Sequence, residues 1–241
     1  MNIENYFNYN DQTIRFTRHQ ASTFAKGVAG DFNPIHDEDA RRFCVPGDLL
    51  FAVFLAKYGI RQEMKFEFSG MVNDTTLLIA PEQIPDTFSL QDDNEKDYMD
   101  VIASGASTHN ADFIAALSEK YVQFSSKTFP DILVPLMEQE KVMINPARPL
   151  VIYKNMEIYL DNLEANKEAS QIELSLTQAI LKNKGKKGEV RLEFSITDEA
   201  KEIGHGAKNL LLSGLREYDA EQLSEVIDNY AKRKQSYLSA K

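Results

Sequence analysis

Leu49-Leu50-Phe51-Ala52-Val53-Phe54-Leu55-Ala56-Lys57-Tyr58 is a nearly unbroken apolar run. Pro46-Gly47-Asp48 leads into it, and Gly59 follows it. Proline suits the first turn of a helix, and glycine just past the end supplies a left-handed stop. The spacing therefore predicts a helix over Asp48–Tyr58. Its apolar residues go nearly all round, so no face is left for water, and such a helix is buried. The rest of the chain is rich in strand patterns, so the helix needs a sheet wrapped about it.

Working outward, Thr13–Arg18 alternates as a short strand, and Gln20–Val28 carries helical spacing in Ala21, Phe24, Ala25 and Val28. Asp37–Phe43 has acids first and Arg41-Arg42 last, which suits a short helix by its dipole. Met64–Phe68, Thr75–Ala80 and Asp97–Ala103 read as strands, while Ile84–Glu95 is polar and reads as loop. Asn110–Phe124 has helical spacing, and Phe129–Glu140 reads as a helix interrupted by Pro135. Farther on, Met156–Leu160, Ile172–Leu176 and Val190–Ile196 alternate strictly, and Ala207–Leu215 makes a fourth strand. Lys184-Gly185-Lys186-Lys187-Gly188 is a hairpin connection. Asp219 with Gln222 starts a final helix that runs to about Leu238, with Leu223, Val226, Ile227, Tyr230 and Tyr237 on one stripe.

The 241 residues suit one large domain or two small ones with a shared core. The net charge of −10 opposes phosphate backbones, so nucleic acid is not expected as a partner. The longest apolar run is roughly half of a bilayer span, so no membrane segment is expected. Met1–Gln12 is polar and acidic, unlike a signal peptide. Cys44 is the only cysteine, which excludes an intrachain disulfide and fits a reducing compartment; cytoplasm is the expected location.

Upstream of the apolar run stands Ala29-Gly30-Asp31-Phe32-Asn33-Pro34-Ile35-His36. Asp31 and His36 are five residues apart, on different faces of any regular helix. A turn must bring them together, and Gly30, Asn33 and Pro34 are the residues that make one. A carboxylate and an imidazole so joined form a candidate acid–base pair able to grip one water. The helix start near Gly47 offers free N–H groups and the positive end of a dipole.

This octapeptide resembles the hydratase motif of the MaoC-like, (R)-specific enoyl-CoA hydratase family. Gly30-Asp31-x-Asn33-Pro34-x-His36 matches it position by position, and Pro46-Gly47-x-Leu49-Leu50 aligns with the family's His-Gly-Met-Leu-Leu helix start. The resemblance implies an α+β hotdog fold, an antiparallel sheet wrapped around a buried helix. It implies Asp31 and His36 as the catalytic pair, Asn33 as orienter and the Gly47 N–H as the oxyanion donor. Its substrates are 2-enoyl or 3-hydroxyacyl thioesters of CoA or acyl-carrier protein, a hydratase or dehydratase (lyase) reaction needing no metal or redox cofactor. The whole chain also resembles an uncharacterised proteobacterial hotdog family sharing the run Phe43–Phe51.

The match departs at two places. Pro46 stands for the family histidine and Asp48 for the methionine. A carboxylate at Asp48 would oppose an enolate unless it turned outward. These departures favour the alternative of a non-catalytic acyl- or CoA-binding module, with a scaffold as a third reading.

The expected architecture is a double hotdog, with a motif-bearing half over 1–125 and a second half with the terminal helix over 126–241. A single hotdog with long insertions is the alternative. Two halves in one chain could pair internally, and a homodimer stays open. His19, His109 and His205 read as loop or surface residues, and no spacing suits a metal. Lys182, Lys184, Lys186 and Lys187 read as a solvated hairpin tip before a CoA-phosphate grip. Cys44 reads as a small buried residue, and the Tyr230–Tyr237 stripe as core or dimer contact.

Overall fold

The computed structural model describes residues 1–161, 163 and 171–240. Twelve strands and five helices are described: β1 Asn8–Asn10, β2 Thr13–Arg15, α1 Arg18–Phe24, α2 Gly47–Tyr58, β3 Ile60–Phe68, β4 Leu78–Ile79, β5 Thr87–Asp92, β6 Asp97–Thr108, α3 Ala111–Ser126, α4 Leu133–Gln139, β7 Val142–Met143, β8 Val151–Leu160, β9 Ile172–Lys184, β10 Lys187–Asp198, β11 Lys201–Ser213, β12 Arg216–Glu217 and α5 Ala220–Ser239. Ten strands form one sheet in the order β1-β2-β4-β5-β6-β3-β8-β11-β10-β9, and β7 pairs with β12 separately.

The same arrangement occurs twice. From the middle of the sheet outward, α2 is followed by strands ordered β3-β6-β5-β4, and α3 by strands ordered β8-β11-β10-β9. The copies meet where β3 and β8 pair antiparallel, Met64 opposite Ile158 and Phe66 opposite Met156, all four buried. Antiparallel pairing of the two inner strands makes one continuous sheet of both halves. The fold is α+β, a double hotdog.

α2 is enclosed as its composition requires. Leu49, Phe51 and Leu55 have no exposed surface. Phe51 meets Phe66 of β3 edge-on and Tyr121 of α3 at 4.8 Å between ring centres. Burying each such side chain is worth about 2 kcal/mol, so this helix is set by its surroundings more than by propensity. Gly59 ends it at φ +80° and ψ −173°, backbone that is essentially restricted to glycine.

Several local expectations are corrected. Asp37–Phe43 is not a helix; the Arg18 guanidinium takes the carbonyls of Glu38 and Ala40 at 2.9 and 3.0 Å and lies over the Phe43 ring, drawing the segment out sideways. Thr87–Asp92 within the expected loop is strand β5; its outer position leaves only Leu90 buried, so its sequence stays polar. Thr75 and Thr76 bond the Asn73 side chain in a turn, leaving Leu78–Ile79 as strand. Pro135 does not interrupt α4, because it falls in the first turn, where an N–H has no intrahelical acceptor. β11 begins at Lys201, six residues before the expected Ala207, with Gly204 and Gly206 in its first half.

Candidate active site

The acid–imidazole turn is assembled by local bonds. α1 starts on a capping box of Thr17 and Gln20 and widens over Ala25–Ala29 before Gly30, at φ +74°, turns the chain. Asp31 N–H then donates back to Ala25 O at 2.8 Å. Asp31 Oδ1 accepts from Asn33 N–H at 2.9 Å, and Asn33 Oδ1 accepts from Ile35 N–H at 3.2 Å, capping a tight turn over Pro34–His36. These are the side chain-to-backbone bonds that Asp and Asn favour in turns.

His36 is thereby rolled back toward Asp31. Its Nδ1 lies 2.7 Å from Cys44 O. A carbonyl only accepts, so Nδ1 carries the proton and Nε2 of the neutral ring is the free lone pair. Nε2 lies 3.7 Å from Asp31 Oδ2. That is too long for a direct hydrogen bond, and one water could bond both groups from the solvent side. The His36 side chain is 11% exposed and that of Asp31 31%, so the pair opens to solvent on one side.

Four expected residues are therefore placed as follows. Asp31 and His36 converge. Asn33 shapes the turn through its own side chain. Gly47 is the first residue of α2, where its N–H has no intrahelical acceptor. The rings of Tyr153 and Phe68, with centres 4.4 Å apart, cover the Gly47 Cα; a Cβ there would lie 3.0 Å from one and 3.3 Å from the other.

Asp48 does not turn outward. Its Oδ2 accepts from Ser125 Oγ at 2.6 Å, and its Oδ1 is buried without a partner among the described residues. Ser125 Oγ in turn accepts from the ammonium of Lys208, which is buried on β11 and sits 4.3 Å from the centre of the Tyr153 ring. Burial pushes the Asp48 carboxyl above the usual carboxylate range and the Lys208 ammonium below its usual range, each restrained by the other's charge. Asp31 and His36 both act on Asp48, so the turn and this cluster share one field. The hydroxyls of Tyr121 and Tyr153 bond each other nearby, and burial pushes both phenols well up.

Sequence reasoning missed Ser125, Lys208, Tyr121 and Tyr153. One signal was available: Lys208 is in phase with Gly206, Leu210 and Leu212, the inward face of β11, where a lysine is out of place. The Tyr230 stripe also turns out to serve the site. Tyr230 Oη accepts from Phe32 N–H at 3.1 Å and lies 3.5 Å from Asp31 Oδ1, while Arg233 pairs with Asp37 beyond it. Cys44 is half-buried rather than the buried residue expected, and its burial raises the thiol to about 11. Among the described residues no group of side chains is arranged to hold a metal.

No helix is long and apolar enough to cross a membrane among the described residues. No curated protein matches the sequence. Among solved structures, the chain is similar to a conserved protein of unknown function with hot dog fold from Alicyclobacillus acidocaldarius, with 7% identity over 88% of this chain and 98% of that one and a TM-score of 0.49. It is also similar to a MaoC-like dehydratase, at 9% identity over 86% and 97% of the two chains with a TM-score of 0.41. An acyl-CoA thioesterase II from Mycobacterium marinum gives 10% identity over 91% and 99%, with a TM-score of 0.40. These values are low, and the fold assignment rests on the repeated strand order and the enclosed helix. A family model described as "Protein of unknown function (DUF3581)" matches residues 1–221, and the chain belongs to that family.

Proposed function

We propose that the protein hydrates 2-enoyl thioesters, or dehydrates 3-hydroxyacyl thioesters, carried on CoA or acyl-carrier protein. The observation that carries this reading is the 3.7 Å separation of His36 Nε2 and Asp31 Oδ2, with Nδ1 fixed on Cys44 O. A water between them would lose a proton to Nε2 as its oxygen adds to C3 of the enoyl group. A proton would reach C2 from the same pair, completing the addition. Charge would build on the thioester oxygen meanwhile, and the Gly47 N–H at the positive end of α2 is the donor that would meet it. This chemistry calls for no metal or redox group.

One observation favours a second reading, a module that binds an acyl or CoA group without turning it over. The Phe68 and Tyr153 rings lie over the start of α2. A substrate must therefore move side chains to reach Gly47. A spectroscopic assay on crotonyl-CoA, run beside calorimetry with free CoA, separates the readings. Turnover supports the hydratase. Binding without turnover supports the module, and neither one ends both.

A further inference from the structure

The proposed reaction leaves one buried cation unused. Lys208 reaches Ser125 on the last turn of α3, and the same hydroxyl donates to Asp48 in the first turn of α2. The three side chains thus join β11, α3 and α2 next to Gly47. Asp48 has one oxygen, Oδ1, that is buried and unmet among the described residues. A carboxylate so placed keeps its charge only with a cation near it. The other titratable groups facing it are Tyr121 of α3 and Tyr153 of β8, bonded to each other, and Asp31 and His36 of the turn. Lys208 is the one lysine or arginine among them.

We propose that Lys208 is a positioning residue of the candidate active site: through Ser125 it holds the Asp48 carboxylate and cancels its charge, so that an enolate oxygen can gather at the start of α2. This rests on the hydratase reading. It also accounts for an acid at the position next to Gly47. Without the cation, α2 would begin with a negative charge where negative charge has to develop.

The test compares Lys208→Met, Asp48→Asn and the double variant in crotonyl-CoA turnover across pH, with folding followed by circular dichroism. Lys208→Met is expected to lose about tenfold or more in kcat with little change in KM. The acid limb of its rate profile should move to higher pH, because an uncompensated carboxylate favours the protonated imidazole beside it. Adding Asp48→Asn should restore both rate and profile. A purely structural lysine would lower the folded fraction without moving the limb. Wild-type kcat and profile in Lys208→Met overturn the proposal, as does a folded double variant no better than the single. Should Lys208→Met not fold, the double variant decides: a near-wild-type rate supports the proposal, and a folded but inactive protein overturns it. Wild-type protein with no turnover removes the hydratase reading itself, and this inference with it.

Discussion

The backbone N–H of Phe32 donates to the phenol oxygen of Tyr230 at 3.1 Å, joining residues 198 positions apart. Phe32 is inside the candidate motif, and Tyr230 is on the terminal helix. Tyr230 and Tyr237 also meet the Phe32 ring edge-on, and Phe129 packs on Tyr230. Helix α5 is otherwise largely exposed, with Leu223 its one buried side chain. Its docking therefore depends on few contacts, and this bond is central to them. Tyr230→Phe keeps the ring and removes the acceptor, leaving a buried N–H unmet. We expect a loss of about 1–2 kcal/mol, read as a lower urea midpoint with an unchanged slope. A midpoint equal to that of the wild type would show that water takes over the bond.

Asp31 and His36 should fail separately. Asp31→Asn preserves the shape of the turn, since the amide oxygen can still accept from Asn33 N–H at Oδ1. It removes the negative charge facing Nε2. His36→Ala removes the base and also the bond that ties the turn to Cys44 O. Each should lower crotonyl-CoA hydration by roughly 10²-fold or more, with the asparagine variant as stable as the parent. Full activity in both would unseat them as the acid–base pair.

The parts legible from sequence are those governed by neighbours along the chain. The burial of α2 followed from a run with no polar face, and the β9–β10 hairpin followed from Gly185 between lysines. The convergence of Asp31 and His36 was legible because Gly30, Asn33 and Pro34 act within a few residues. Effects from far away were not. Asp37–Phe43 has helical charges, yet Arg18, some twenty residues earlier, takes its carbonyls. β5 is polar because the short β4 covers its outer side only at Gln91 and Asp92, which pairing decides. Asp48 was read beside Gly47 alone, whereas its partners Ser125 and Lys208 lie 77 and 160 positions away.

Gly59 and Gly185 give a contrast that tests the stop of α2. Both have positive φ, +80° and +73°. A Cβ at Gly59 would lie 2.7 Å from Thr108 O and 3.0 Å from the His109 ring, whereas one at Gly185 would meet nothing within 4 Å. Gly185→Ala meets only the cost of a positive φ, about 1 kcal/mol. Gly59→Ala adds the strain of ψ −173° at positive φ and a collision with the main chain of β6, so we expect about 3 kcal/mol or more from urea unfolding. Equal losses in the two variants would mean that β6 yields freely at Thr108 and that ψ −173° adds no strain.

Asp48 and Lys208, joined through the Ser125 hydroxyl, should leave a mark on stability against pH. Burial raises the folded carboxyl above its ordinary range. The folded protein then holds a proton that the unfolded chain has released, from about pH 4 upward. That contribution to stability is present below the window and is lost as pH rises through the folded value. Burial lowers the folded ammonium. Its contribution is present above the usual lysine range, about 10.4, and is lost as pH falls through the folded value. Both penalties therefore act together between the two windows. Asp48→Asn with Lys208→Met carries neither penalty. Its stability relative to wild type should be greatest near neutrality and shrink toward both extremes, measured by urea unfolding at a series of pH values. Lys208→Met alone strands the carboxylate and should lose about 3 kcal/mol or more at neutral pH. If the double variant instead falls furthest below wild type near neutrality, the two charges bridged by Ser125 are a net source of stability and the directions assigned to both groups are wrong.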